Sequence, residues 1–227
     1  MVEFLNTTFR GFDGGMFSAM HGLAQGAGGF FTPVFKAITL LGEKGLLFML
    51  IGFVLLFFAR TRKIGVCMLG AIAIGAIITN LTLKPIVARP RPYTDPEFMG
   101  FWEFVGKPTE SDHSFPSGHT TAITAFMTAM FIMCNKKWSW VGFIGVILMG
   151  LSRIYLIAHY TTDVIAGLLV GGIAGVCAFF ITKLIYKIVD KHKEKKFCKF
   201  ILEFDIIKLF KKDKVESEQT EQKSQEE

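Results

Sequence analysis

Cysteine is scarce in this chain, and its few cysteines lack the spacing of a metal site. The four are Cys67, Cys134, Cys177 and Cys198, and no pair among them is spaced as metal ligands usually are. Three of them lie in or at the end of apolar runs, where a thiol behaves as a small hydrophobic side chain. We therefore expect all four cysteines to be reduced and structural, with no metal bound through them.

Two further patterns are missing. The N-terminus, MVEFLNTTFR, lacks the basic start, apolar core and small-residue cleavage site of a signal peptide, so we expect none to be removed. The chain also does not interleave aromatic with basic residues, so its net charge of +6 does not indicate nucleic acid as a partner. The positive residues cluster beside apolar runs and in the tail, where membrane topology accounts for them.

Apolar residues are abundant. They make up 51% of the 227 residues, with 24 phenylalanines and a mean hydropathy of +0.44. A soluble domain of this size cannot bury so much apolar surface. Because the surplus is concentrated in runs, the sequence predicts membrane spans. The runs are residues 45–59, 64–83, 120–134, 138–157 and 164–181.

The connections between these runs predict an orientation. If all five runs span the membrane, the basic connections at 60–63 and 136–137 and the lysines after residue 181 share one side. The positive-inside rule identifies that side as cytoplasmic. Residues 84–117 and 158–162 then face outward.

The predicted fold is an all-α, polytopic membrane helical bundle with five to six transmembrane helices. Residues 16–41 are mildly apolar and rich in glycine, which favours an N-terminal amphipathic helix and five spans. A sixth span with the N-terminus inside is the alternative. We expect one membrane-embedded domain, 1–197, and a cytoplasmic tail, 198–227. That tail has an apolar face at 201–210 and a predicted disordered end at 215–227.

Glycine recurs every four residues along the last predicted span, at Gly167, Gly171 and Gly175. Small residues at this spacing let two helices approach closely. The pattern therefore predicts helix packing and needs no chemical role.

Three polar clusters stand at the outward ends of the predicted spans, although an ionisable group costs roughly 2.5–3.5 kcal/mol at the bilayer centre on insertion scales. The first runs from Lys84 through Arg89-Pro90 to Arg91-Pro92. Its prolines stiffen the chain and hold the cations apart, and an arginine fork matches the oxygens of phosphate. Contact between these cations and lipid headgroups is the alternative interpretation.

The second cluster is Pro116-Ser117-Gly118-His119, which opens a predicted helix with Ser117 at or near the cap. Glycine allows a close backbone approach, and the free N–H groups of a helix start attract anions. His119 would then lie over the same anion. A capped helix with an incidental interfacial histidine is the alternative.

The third cluster is Ser152-Arg153, followed by His159 and Asp163. If the helix has begun by His159, a spacing of four puts the imidazole and the carboxylate on one face. The carboxylate can then hold the proton of one ring nitrogen and leave the other as a directed nucleophile. An interfacial histidine near a helix-start aspartate is the alternative, but it leaves Arg153 unexplained.

In this order, the three clusters resemble the type 2 phosphatidic acid phosphatase superfamily, which also includes vanadium haloperoxidases. The family pattern is Lys-x6-Arg-Pro, then Pro-Ser-Gly-His, then Ser-Arg-x5-His-x3-Asp. It is present without a departure at residues 84–92, 116–119 and 152–163. Arg89-Pro90 offers a competing alignment of the first motif with Arg91-Pro92.

The resemblance implies a metal-independent phosphatase without a cofactor. In it, His159 attacks phosphorus and forms a phosphohistidine, Asp163 orients His159, and His119 protonates the leaving oxygen and then activates water. The implied phosphate-binding groups are Lys84, Arg91, Ser117, the Gly118 amide and Arg153. Because His159 must be neutral while His119 must carry a proton, we expect a bell-shaped dependence of activity on pH.

The resemblance also implies a lipid phosphate as substrate, acted on at the extracytoplasmic side of the cell membrane. Undecaprenyl diphosphate is favoured, with phosphatidylglycerophosphate and phosphatidic acid as alternatives. The predicted spans disfavour a haloperoxidase. A transporter is disfavoured because the polar residues collect at one membrane face and no repeat is evident. For Asp112, His113 and Ser114 a solvated loop is favoured over headgroup contact.

Overall fold

The structure, a computed structural model, describes residues 1–134 and 136–207, and all regular secondary structure in this part of the chain is helical. The predicted all-α class is therefore confirmed. The predicted disordered end, 215–227, and the last residues of the apolar segment 201–210 lie outside the described residues. The α-helices are α1 (Val2–Thr8), α2 (Arg10–Leu41), α3 (Leu46–Leu55), α4 (Arg62–Ala76), α5 (Lys84–Val87), α6 (Pro96–Phe104), α7 (Gly118–Met133), α8 (Lys136–Ser139), α9 (Gly142–Tyr155), α10 (Thr161–Lys191) and α11 (Lys196–Glu203).

Two helical stretches among the described residues are long and apolar enough to cross a membrane: Arg62–Thr94 and Thr161–Lys191. Helices α2 and α3, bent by 45° relative to each other, would together form a third. Helices α7 and α9 are apolar but have only 16 and 14 residues. Length and composition thus give two or three spans, and the predicted count of five to six is not established.

The first polar cluster lies at the end of the helical stretch Arg62–Thr94, which begins with α4 and is called the α4 stretch. After α4 the chain continues as a π-helix, Ile77–Leu83, and then as the short helix α5. Helix α5 stops at Ala88, whose φ of 51° is left-handed and cannot continue a right-handed helix. The chain leaves in an extended conformation through Arg91. Wide π-turns of this kind occur often at functional sites.

Helices α4, α7 and α10 form the centre of the bundle, and glycine sets the distance between α7 and α10. A Cβ added at Gly171 would lie 2.6 Å from Cβ of Thr124 and 2.7 Å from the carbonyl oxygen of Thr121. A Cβ at Gly175 would lie 2.6 Å from Cβ of Thr128. The predicted close packing at these glycines is confirmed. It brings the start of α7 against the start of α10, where the second and third polar clusters lie.

Helix α2 changes direction at Ala27, whose φ of −145° is not helical. Before this kink, Phe17 packs against Phe98 and Tyr160. Beyond the kink, the Thr32 hydroxyl lies 2.7 Å from the hydroxyl of Tyr155. Helix α2 is therefore longer than the predicted amphipathic segment, and its two halves cover different parts of the third cluster.

The close contact at Gly171 gives a testable prediction. We expect Gly171→Ala to destabilise the protein by about 1–3 kcal/mol, because the added methyl group forces α7 and α10 apart. Thermal unfolding of the purified protein in detergent measures this change.

Gly172→Ala is the matched control, because a Cβ at Gly172 meets nothing within 4 Å. Alanine is there a better helix former by about 1 kcal/mol, so the control should be neutral or stabilising. Equal unfolding temperatures for the two variants would show that the glycine contact does not set the helix distance.

Candidate active site

The three polar clusters meet at one cavity. It has a volume of about 240 Å³ and lies between the end of the α4 stretch, the start of α7 and the turn between α9 and α10. Its floor is apolar, formed by side chains such as Ile72, Ala76 and Ala122. Residues from all three clusters also line it, namely Lys84, Arg91, Gly118, His119 and His159.

His159 lies in the turn before α10 and is 1% exposed. Its Nε2 is 2.9 Å from Nη1 of Arg91. Arginine carries only hydrogen-bond donors, so Nε2 accepts this bond. The ring proton of neutral His159 is therefore on Nδ1, and the electron pair on Nε2 points to the guanidinium of Arg91, which lines the cavity beside His159.

Asp163 lies on the opposite side of the imidazole from Arg91. Its Oδ2 is 3.6 Å from Nδ1 of His159. The condition for pairing by helix spacing is not met, because α10 begins at Thr161, after His159. The pair meets because Asp163 turns back to accept the N–H of Tyr160 at 3.0 Å, as in a capping box.

Lys84 and Arg91 share one carboxylate. Both are buried, and both form an ion pair with Asp112. Arg91 is fixed further by two backbone carbonyls, with Nε 2.9 Å from the oxygen of Asp112 and Nη1 2.7 Å from that of Ala158. Both cations line the cavity and are held there by these contacts.

Arg153 lies in the last turn of α9 and forms an ion pair with Glu110. It is 1% exposed, and its Nε has no hydrogen-bond partner among the described residues. Glu110 also lines the cavity. Arg153 itself lines a neighbouring cavity, which shares Glu110 and His119 with the first one.

The second motif begins α7 as predicted, with Ser117 as its N-cap. The Ser117 hydroxyl accepts hydrogen bonds from the backbone N–H and the hydroxyl of Thr120, at 3.4 and 3.0 Å. A Cβ at Gly118 would lie 3.7 Å from Nζ of Lys84, so the backbone there approaches the cations. Nε2 of His119 is buried without a hydrogen-bond partner within the described part of the chain.

The structure places the arginines of the two competing alignments, Arg89 and Arg91, in different surroundings. Arg89 is fully buried, and Arg91 rather than Arg89 lines the cavity. Arg89 instead donates to Asp163, with Nη1 2.6 Å from Oδ1.

Sequence reasoning missed the roles of the loop before α7. The solvated-loop interpretation is wrong for Ser114, which is buried and donates its hydroxyl hydrogen bond to Asp163. Asp112 is exposed yet pairs with two cations, whereas His113 is exposed as expected. Asn80, on the π-helix, also lines the cavity. An amide in an apolar run was the available signal for Asn80.

Burial and charge set the protonation of the groups in the connecting loops. Burial lowers the pKa of His159 well below its usual 6.5, and the guanidinium groups of Arg91 and Arg153 lower it further. Burial alone would raise the pKa of Asp112 and of Glu110, but their cation partners outweigh it and lower both. At neutral pH, His159 is therefore uncharged and both carboxylates are ionised.

The described residues contain no group of three or more His, Cys, Asp or Glu side chains arranged to hold a metal ion. The cations Lys84 and Arg91 and the imidazoles of His119 and His159 line the cavity together with the carboxylates of Asp112 and Glu110. The cations and imidazoles suit an anion with several oxygens.

Comparison with known proteins gives consistent matches. Residues 64–191 match the model of the PAP2 superfamily. The chain is 34% identical over 120 residues to an undecaprenyl-diphosphatase of Sulfolobus acidocaldarius, covering 52% of this chain and 54% of that protein. It is 30% identical over 175 residues to phosphatidylglycerophosphatase B of Bacillus subtilis, covering 71% and 78%. The chain thus spans about half the length of the first curated relatives it matches.

Among solved structures, the fold resembles a transmembrane PAP2 type phosphatidylglycerolphosphate phosphatase from Bacillus subtilis. The TM-score is 0.60 at 24% identity, with 84% of this chain and 90% of that chain covered. This likeness supports the helical fold.

The shared carboxylate gives a second prediction. We expect Asp112→Asn to bind inorganic phosphate about three- to tenfold more tightly at pH 7, because Lys84 and Arg91 lose their internal counter-ion. Isothermal titration calorimetry of the purified protein measures the affinity. Glu103→Gln, which breaks only the exposed pair with Lys107, is the control and should bind phosphate like the unmodified protein. Weaker binding by Asp112→Asn would contradict the assignment of these cations to an anion site.

Proposed function

The chain belongs to the PAP2 superfamily, and from that premise we propose that it is a membrane lipid phosphatase whose nucleophile is His159. The observation that carries this proposal is the unprotonated Nε2 of His159, which accepts a hydrogen bond from Arg91 at the cavity that Lys84 and Arg91 line. A neutral imidazole beside such cations is equipped to attack a phosphoryl group that the cations hold.

The first step is exchange of anions. We propose that phosphoryl oxygens of the substrate replace the carboxylates of Asp112 and Glu110 on Lys84, Arg91 and Arg153. Ser117 and the Gly118 amide then contact the same group at the start of α7. Catalysis gains most from such a clamp, because the transferred phosphoryl spreads its charge over three equatorial oxygens.

The chemical steps follow from the two histidines. Nε2 of His159 forms a bond to phosphorus while the bond to the leaving oxygen breaks, and His119 donates a proton to that oxygen. Asp163, near Nδ1, stabilises the positive charge that develops on His159. His119 then removes a proton from water, which attacks the phosphohistidine, releases inorganic phosphate and restores His159.

We propose undecaprenyl diphosphate as the substrate, with undecaprenyl phosphate and inorganic phosphate as products. The name of the Sulfolobus relative supports this choice, and the apolar floor of the cavity suits a prenyl chain. Phosphatidylglycerophosphate and phosphatidic acid are the alternatives, the first supported by the name of the second relative.

The proposed topology has five spans, with the first half of α2 at the outer surface. In this arrangement α2 beyond its kink and α3 form one span, and α4, α7, α9 and α10 form the others. Exposed apolar side chains on α10, such as Leu169, Ile173 and Phe180, then face lipid. The site opens on the extracytoplasmic side of the cell membrane, opposite the basic connections.

Removal of the nucleophile tests the proposal. We expect His159→Ala to lower kcat for undecaprenyl diphosphate by at least about 10³-fold, since no other group takes its place. Phosphate release from a panel of lipid phosphates measures this and ranks the substrates. His192→Ala, at the other end of α10, should retain full activity.

The same assay is repeated in the presence of the metal chelator EDTA. Activity of the unmodified protein should survive EDTA, since no step of the proposed mechanism uses a metal. Retained activity in His159→Ala would remove the proposed nucleophile, and activity abolished by EDTA would replace the mechanism with a metal-dependent one.

A further inference from the structure

A buried carboxylate near the N-terminus contacts the helix that carries Asp163. Asp13 lies in the first turn of α2, is 1% exposed, and precedes the residues that match the family model. Its Oδ1 accepts the backbone N–H of Thr162 at 2.9 Å, and its Oδ2 accepts the hydroxyl of Thr162, also at 2.9 Å. Asp13 thus satisfies a free N–H in the first turn of α10, one residue before Asp163.

Arg89 connects Asp13 to Asp163. Its Nη2 is 3.1 Å from Oδ2 of Asp13, and its Nη1 is 2.6 Å from Oδ1 of Asp163. Nε donates to Asn6 of α1 at 2.8 Å, and the guanidinium lies 3.7 Å over the ring of Tyr160. All three guanidinium nitrogens are therefore bonded, and the group has little freedom to move.

The charge balance of this group bears on His159. Asp163 has Arg89 on Oδ1 and the Ser114 hydroxyl on Oδ2. An undivided positive charge on Oδ1 would weaken the support that the carboxylate gives to the developing imidazolium. Asp13 shares the charge of Arg89, so Asp163 keeps more of its negative potential for His159.

We propose that Asp13, acting through Arg89, is a positioning residue for Asp163 and His159, so that the N-terminal helix is part of the catalytic apparatus. This inference rests on the proposed function for its kinetic effect. The competing explanation is that Asp13 only anchors α2 to α10. The two explanations differ because an anchor affects stability, whereas a positioning residue changes the chemistry of His159.

Asp13→Asn separates them, since the amide oxygen still accepts the N–H of Thr162 while the negative charge is lost. We expect kcat to fall about tenfold with an unchanged KM, and the acid limb of the kcat profile to move to lower pH. Glu97→Gln is the control, because it removes an exposed ion pair with Arg10, also in the first turn of α2. It should leave kcat and KM unchanged.

A double-mutant cycle tests the route through Arg89. If Asp13 acts by sharing the charge of Arg89, Asp13→Asn should have little effect on kcat in an Arg89→Gln background. An undiminished effect in that background would overturn the inference. The other charged groups near His159 and Asp163 are the same in all of these variants: Lys84, Arg91, Asp112, His119 and Arg153.

A spectroscopic arm is independent of catalysis. In 15N-histidine-labelled protein, with the His159 signal assigned from His159→Gln, Asp13→Asn should move the titration of His159 to lower pH. If the unmodified protein releases phosphate from no lipid, the proposed function fails, yet this titration still decides the inference. An unchanged kcat and titration, with only a lower unfolding temperature, would reduce Asp13 to an anchor.

Discussion

Three buried cations, Lys84, Arg91 and Arg153, lie near one another. The other charged groups of the site offset the repulsion between them. At low effective dielectric such like charges need nearby anions. Asp112 and Glu110 supply these anions from one loop. In the proposed reaction the phosphoryl group takes their place. The need to neutralise these cations therefore orders the loop that carries Glu110 and Asp112 in the free protein. It also favours a multiply charged phosphate as ligand.

Close packing of the helices brings these charged groups together. Small residues on α10 let α7 approach, so the start of α7 and the turn before α10 face the end of α4 across one cavity. The nucleophile is placed by contacts on both of its sides, with Arg91 on Nε2 and Asp163 near Nδ1. Another arginine, the fully buried Arg89, donates hydrogen bonds both to Asp163 and to Asn6 of α1. It therefore links Asp163 to the N-terminal helices. The cavity thus depends on segments far apart in the chain.

The sequence was sufficient for the all-α class and for the convergence of the three motifs, because each motif stands at the end of an apolar run. It was insufficient for the choice between Arg89 and Arg91, because the contacts of Arg89 with Asp13 and Asp163 join segments far apart in the chain. The part played by Asp13 was also beyond reach, since no local pattern links α2 to α10. The acidic loop was visible as charge, but its ion pairs depend on tertiary contacts. The number of spans stays a prediction, because α7 and α9 are short.

In the proposed reaction, phosphorus becomes bonded to Nε2 of His159. Rapid quenching of the purified protein with a lipid diphosphate labelled with 32P at its terminal phosphate tests it most directly, followed by peptide mapping. We expect an acid-labile, base-stable label on the peptide that contains His159, formed and lost at rates compatible with turnover. Turnover without any labelled protein, or a label on another residue, would contradict the claim.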